Sequence, residues 1–171
     1  YTDDDYGVAS NPKFTVGQLL NISLAGLLSK SAEIRTASYA LLASVQQSVG
    51  LQTGKSIDSI EGVVFPYGNI DYVCSVSARI AENHPDLTYA FIYGFFGAYN
   101  SLGEEDKNSL VLCVSPWVKN IYRYVYLSNS LMGPGRARDI IRKCVRSSRK
   151  QKHFQVFSLF IWPQLSLEDG L

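Results

Sequence analysis

The chain has 171 residues, 46% of them apolar and 18% charged, with a net charge of +1. A domain of this size buries roughly 70% of the surface its unfolded chain exposes, so the proportions exclude a disordered chain and describe an ordinary globular one. The near-zero net charge argues against nucleic-acid binding as the main task.

The aromatic-rich run without a charge from Leu87 to Gly103 has 17 residues and includes Tyr89, Asn100 and Ser101. A membrane-spanning helix needs about 20 mostly apolar residues, so this run reads as a buried helix. The chain opens on Tyr1 without a charged-then-apolar leader and stops at Glu168-Asp169-Gly170-Leu171, which reads as a piece of a longer protein. Cys74, Cys113 and Cys144 stand 39 and 31 residues apart. With no CxxC or Cys/His ligand spacing, they read as buried free thiols in a reducing compartment.

In chain order, Asp3-Asp4-Asp5 sits in a stretch with no apolar period, read as a solvated N-terminal segment and not as a metal site. Thr15 and Gln18 have capping-box spacing ahead of a first helix carrying Leu19, Leu20, Ile22, Leu24, Leu27 and Leu28. After Ser29-Lys30-Ser31 a second helix places Ile34, Ala37, Leu41, Val45 and Val49 on one apolar face. Gly50, Gly54, Gly62, Pro66 and Gly68 mark a long loop at about 48–69, pinned by Phe65.

A third helix is predicted from Ile70 to Glu82. His84 precedes Pro85, and a residue before proline leaves the helical region, so His84 reads as a helix boundary. Pro85 and Asp86 suit the start of a fourth helix reaching Ser101, whose aromatics on every face indicate burial. Its Gly94 and Gly97 weaken helix propensity, which implies a close helix approach. Acids at Glu104-Glu105-Asp106 open a fifth helix, in which Pro116 predicts a break or kink at Ser115. Gly133-Pro134-Gly135 reads as a turn before helices at Ala137 to Arg146 and Gln151 to Ile161, with Pro163 ending or kinking the last.

The fold class is therefore all-α: an α-solenoid of HEAT/armadillo-like antiparallel helix pairs. Residues 1–14 form a poorly ordered N-terminal segment, 15–165 a HEAT/armadillo-like helical-repeat segment, and 166–171 a C-terminal tail. Within it, Ile34-Arg35-Thr36-Ala37-Ser38-Tyr39-Ala40-Leu41-Leu42 has the form of a HEAT-type inner helix, in which small residues allow close approach.

The residues supply no catalytic constellation. His84 and His153 are the two histidines, and neither has a nucleophile or orienting acid at recognisable spacing. HExxH, GxSxG and GxxxxGK[ST] are all absent, and no cofactor or metal is expected. Gly133-Pro134-Gly135-Arg136 precedes a helix whose amides could face an anion, but it lacks the Walker spacing and lysine. One electrostatic asymmetry stands out. Arg136, Arg138, Arg142, Lys143, Arg146, Arg149, Lys150 and Lys152 surround a single acid, Asp139, giving that window +7 and the rest of the chain −6. Such a stripe suits an acidic partner, an anionic lipid or phosphate group, or RNA; the plain alternative is a solvated face neutralised by other parts of a longer protein. Arg138, Arg142, Arg146 and Arg149 keep helical spacing.

Four segments in order carry a family resemblance. They are Leu19-Leu20-Asn21-Ile22-Ser23-Leu24, then Ile34-Arg35-Thr36-Ala37-Ser38-Tyr39-Ala40-Leu41-Leu42, then Ala81-Glu82-Asn83-His84-Pro85-Asp86-Leu87-Thr88, and Ser115-Pro116-Trp117-Val118-Lys119-Asn120. Together they resemble the neurofibromin-type Ras GTPase-activating proteins in the segment that follows the Sec14–PH module. The match is good from Val16 to Asn120 and weaker to Trp162. The aromatic-rich fourth helix and the Gly133-Pro134-Gly135 turn depart from it and suggest a distant, fungal-like homologue. The resemblance implies a non-catalytic scaffold segment of a negative regulator of Ras signalling, with GTPase activation by an arginine finger in a separate domain. It implies as partners the other domains of the parent protein, Ras through the parent's GAP domain, and a second copy in a homodimer. An anionic membrane surface is a further expected contact. The implied location is cytoplasmic, with peripheral membrane association through the basic stripe.

Overall fold

The computed structural model describes residues 14–51, 65–99, 102–125, 133–149, 155, 157–158 and 161–165. Asp3-Asp4-Asp5, the loop centre at 52–64, Lys150, Lys152, His153 and the tail at 166–171 lie outside them. The described elements are helices α1 (Val16–Leu27), α2 (Ala32–Val49), α3 (Ile70–Asn83), α4 (Thr88–Tyr99), α5 (Glu104–Val125), α6 (Gly133–Ser148) and α7 (Trp162–Leu165), with a 3₁₀ turn at Pro85–Leu87. No strand occurs among the described residues.

Local chemistry sets the helix ends. The Gln18 amide donates to Thr15 Oγ1 at 3.3 Å while the Thr15 amide donates to Gln18 Oε1 at 2.9 Å, completing the predicted capping box. Ser31 Oγ accepts from the Ile34 amide to start α2. Gly50, at φ +67°, ends it, and the Leu51 amide reaches back to the Gln46 carbonyl, the closure that a left-handed glycine permits. His84 takes φ −129° between α3 and the Pro85 turn, as its place before proline requires.

Three expectations are corrected. The chain stays helical through Pro116, so the expected break at Ser115 is absent. Val114, Trp117 and Val118 are buried on both sides of it, and their packing outweighs the lost backbone bond. Gly133 and Pro134 open α6 instead of forming a turn before it, because proline's fixed φ fits a first helical turn. The buried face of α2 runs through Arg35, Ser38, Leu42 and Val45; Val45 is as predicted, and the other three stand one residue on from Ile34, Ala37 and Leu41. Ile34 and Val49 are exposed.

The contacts also set helix directions. Gly26 of α1 approaches Ser38 of α2 so closely that a Cβ would overlap it. Gly17 lies against Ala90 and Phe91, and Gly94 against Gln18 and Asn21, so α1 and α4 run parallel. Thr88 faces Asn120, Phe91 faces Trp117 and Tyr99 faces Lys107, which makes α4 and α5 antiparallel. Between α3 and α5 the pairs are Cys74 with Cys113, Ser77 with Trp117 and Ala81 with Asn120, a parallel arrangement. The intimate glycine approaches are thus on α1. Gly94 makes ordinary contacts, and a Cβ at Gly97 would meet nothing within 4 Å.

Where α3, α4 and α5 meet, Phe91 and Trp117 stack at 4.1 Å with planes 10° apart. Leu20, Leu24, Leu27, Leu42, Val73, Ile80, Ile92 and Leu110 extend the core around them. Several of the polar groups inside are paired. Trp117 Nε1 donates to Ser77 Oγ at 2.9 Å, and Ser77 Oγ donates to the Cys113 carbonyl at 2.6 Å. Asn120 Nδ2 donates to the Ala81 carbonyl and to Thr88 Oγ1. Arg35, buried at 7% exposure, donates to the carbonyls of Ser29, Lys30 and Phe65. It joins the α1–α2 turn to the segment entering α3. Phe65 is buried as expected, against Tyr39 and Tyr72.

Candidate functional site

The predicted basic window lies on α6, whose three faces have different neighbours. Ala137, Ile140, Cys144 and Ser148 turn inward and are buried. Arg136 and Lys143 flank α4: the Arg136 guanidinium lies 5.1 Å from the Tyr89 ring centre and Lys143 Nζ lies 4.6 Å from that of Tyr93. Arg138, Arg142, Arg146 and Arg149 are exposed, at the spacing that lines residues along one helix face. Lys150 and Lys152 fall outside the described residues. The single stripe read from sequence therefore becomes two rows, one held against tyrosines and one open to solvent.

Arg136 with Tyr89 and Lys143 with Tyr93 put cations over aromatic faces, each worth about 0.5–1 kcal/mol when exposed. Tyr89 also donates to Asp139 Oδ2 at 3.5 Å. Burial first, then the Asp139 carboxylate, holds its phenol above the usual tyrosine range. The pairs Tyr89 with Arg136 and Tyr93 with Lys143 also show α4 and α6 running parallel. Beyond them an open groove of about 340 Å³ is lined by Tyr93, Phe96, Gly97, Lys143, Arg146 and Ser147. Two cations beside an aromatic wall can hold an anionic group with an apolar edge.

Sequence reasoning located the cations but missed Tyr89 and Tyr93, which it assigned to burial with the other aromatics. The usable signal was their four-residue spacing. Phe91, Phe95, Phe96 and Tyr99 go to the core, while Tyr89 and Tyr93 sit four residues apart on the α6 side.

The two histidines weighed as candidate bases are not both placed. His84 lies at the helix boundary, and His153 is outside the described residues. No group of three or more His, Cys, Asp or Glu side chains able to hold a metal occurs among the described residues. No described helix is long and apolar enough to cross a membrane. Cys113 and Cys144 are buried and Cys74 is half-buried, and all three are free.

No protein-family model matches the chain. It is similar to inhibitory regulator protein IRA2 of Saccharomyces cerevisiae, with 31% identity over 155 residues, which is 89% of this chain. It is also similar to inhibitory regulator protein IRA1 of the same yeast, with 27% identity over 163 residues and 91% of the chain. The chain is a relative of the neurofibromin-type Ras GTPase-activating proteins. It spans about 5% of the length of either yeast relative.

The third and fourth of the segments that carry the neurofibromin-type resemblance meet inside the fold. Ala81 and Thr88 end the third segment, and both accept from Asn120, which ends the fourth. Trp117, also in the fourth, is fully buried. Those residues are occupied in holding α3, α4 and α5 together.

Proposed function

We propose that this chain is a non-catalytic, helical-repeat scaffold segment of a neurofibromin-type negative regulator of Ras signalling, with GTPase activation located elsewhere in the parent protein. The observation that carries this reading is the junction of Ala81, Thr88, Trp117 and Asn120. These four residues of the family-marking segments are engaged in packing and buried hydrogen bonds. The HEAT/armadillo-like solenoid is part of the proposal. Antiparallel packing of α4 on α5, with parallel packing of α3 beside α5 and α4 beside α6, is what stacked helix hairpins produce. The parallel contact of α1 with α4 departs from a strict two-helix repeat. Such a segment would position neighbouring domains or support homodimerisation, and Ras would be met through the parent's GAP domain in the cytoplasm.

The test is Trp117→Ala placed in the full-length parent. The reading expects a loss of folded protein while GTP hydrolysis per mole of folded GAP domain stays unchanged. A fall in that specific rate with abundance and melting temperature intact would overturn it.

A second reading is supported by the exposed row Arg138, Arg142, Arg146 and Arg149 and by the groove beside Lys143. These would form a contact for anionic lipid or a phosphate-bearing ligand, bringing the parent to a membrane surface peripherally. Co-sedimentation with vesicles containing anionic lipid should exceed that with neutral vesicles and fall as salt rises. Equal, salt-independent sedimentation would remove this reading.

A further inference from the structure

We propose that Cys74 and Cys113 form an oxidisable dithiol that closes, under peroxide, into a disulfide joining α3 to α5. Their sulfur atoms lie 3.7 Å apart although the residues are separated by 39 positions. The helices that carry them are fixed around the pair. Ser77 on α3 donates to the Cys113 carbonyl and accepts from Trp117, and Asn120 ties the next turn to Ala81. The thiols therefore face each other as part of the fold. Closing to a bond of about 2 Å needs only a small shift of the two side chains.

The partners are unequal in the way such a reaction requires. Cys74 is half-buried at the edge of the helix pair, whereas Cys113 is fully buried. The hydrogen bond from Cys113 lowers the Cys74 thiol below its usual range against burial and the nearby Asp71 carboxylate. The same bond and burial push the Cys113 thiol up. Thiolate character and access favour reaction with peroxide, so Cys74 attacks and Cys113 resolves.

In the first step the Cys74 thiolate sulfur bonds to one peroxide oxygen. The O–O bond breaks, and the departing hydroxide takes a proton to leave as water. In the second step the Cys113 sulfur gives up its proton and bonds to the Cys74 sulfur. The S–O bond breaks, and a second water leaves. Two thiols lose two electrons and hydrogen peroxide gains them. Cys144 is the internal control, since burial pushes its thiol up to about 12.

The folded 171-residue chain is treated with hydrogen peroxide, then denatured and alkylated with N-ethylmaleimide, and its mass is read. The alkylatable thiols should fall from three to one, with Cys144 as the survivor. Dithiothreitol should restore all three, and a peptide map should show Cys74 linked to Cys113. Cys74→Ser, with its fold checked by circular dichroism, should keep both remaining thiols alkylatable. Three thiols surviving in the unmodified chain, a loss that dithiothreitol does not reverse, or a link between chains would overturn the proposal.

Discussion

The Trp117 indole lies flat on the Phe91 ring, 4.1 Å between centres, and both side chains are fully buried. Because Trp117 Nε1 also donates to Ser77, one side chain couples α5 to α4 by stacking and to α3 by a hydrogen bond. Trp117→Ala should cost about 3–5 kcal/mol, the range for removing a large buried aromatic. Trp117→Phe should cost less, since it keeps a ring against Phe91 while leaving Ser77 Oγ without its donor. Urea denaturation of the chain measures both, and equal costs would show that the hydrogen bond, not the stack, dominates.

Two glycine-to-alanine changes should have opposite signs. At Gly17 the new Cβ would stand 2.7 Å from the Phe91 amide nitrogen, a backbone atom that cannot rotate away. Overpacking of this kind costs roughly 1–3 kcal/mol, more than the propensity gain returns. At Gly97 no atom lies within 4 Å of the new Cβ, so Gly97→Ala should stabilise by about 0.5–1 kcal/mol. Thermal melting of both variants checks the pair, and a stabilising Gly17→Ala would mean that α1 and α4 do not approach as described.

Arg35 bonds three carbonyls from two separate stretches. Arg35→Lys keeps the charge but cannot reproduce the fork, and each buried acceptor left unmet costs about 1–3 kcal/mol. We expect Arg35→Lys to destabilise nearly as much as Arg35→Ala and to expose the segment around Phe65 to proteolysis. Wild-type behaviour of the lysine variant in limited proteolysis would show that charge alone suffices.

Asn21 is fully buried, and neither Nδ2 nor Oδ1 finds a partner among the described residues. An unpaired buried amide carries its desolvation cost without compensation. Asn21→Leu, similar in shape, should therefore hold or raise the melting temperature. A loss of several degrees would show that the amide has a polar partner in the folded protein.

Signals that act over a few residues were legible in the sequence. The Thr15–Gln18 capping box, the His84-Pro85 boundary and the start of α5 at Glu104 all follow from local chemistry. Readings that depended on neighbours fared less well. Pro116 stays within a helix because Trp117 and its surroundings are packed. The α2 face is set by what Arg35 reaches, and apolar spacing in that helix pointed one residue away except at Val45. The close-approach glycines are Gly17 and Gly26, and nothing local distinguishes them from Gly97. Arginine spacing on α6 disclosed the exposed row, but the pairing of Arg136 and Lys143 with tyrosines needed the register between α4 and α6.

The central claim is that this chain supports a Ras regulator without performing its chemistry. Single-turnover hydrolysis of GTP bound to purified Ras, measured with and without the folded chain in excess, tests it most directly. The account predicts the same rate in both. An acceleration that disappears when one of Arg136, Arg138, Arg142, Arg146 or Arg149 is changed to alanine would contradict it.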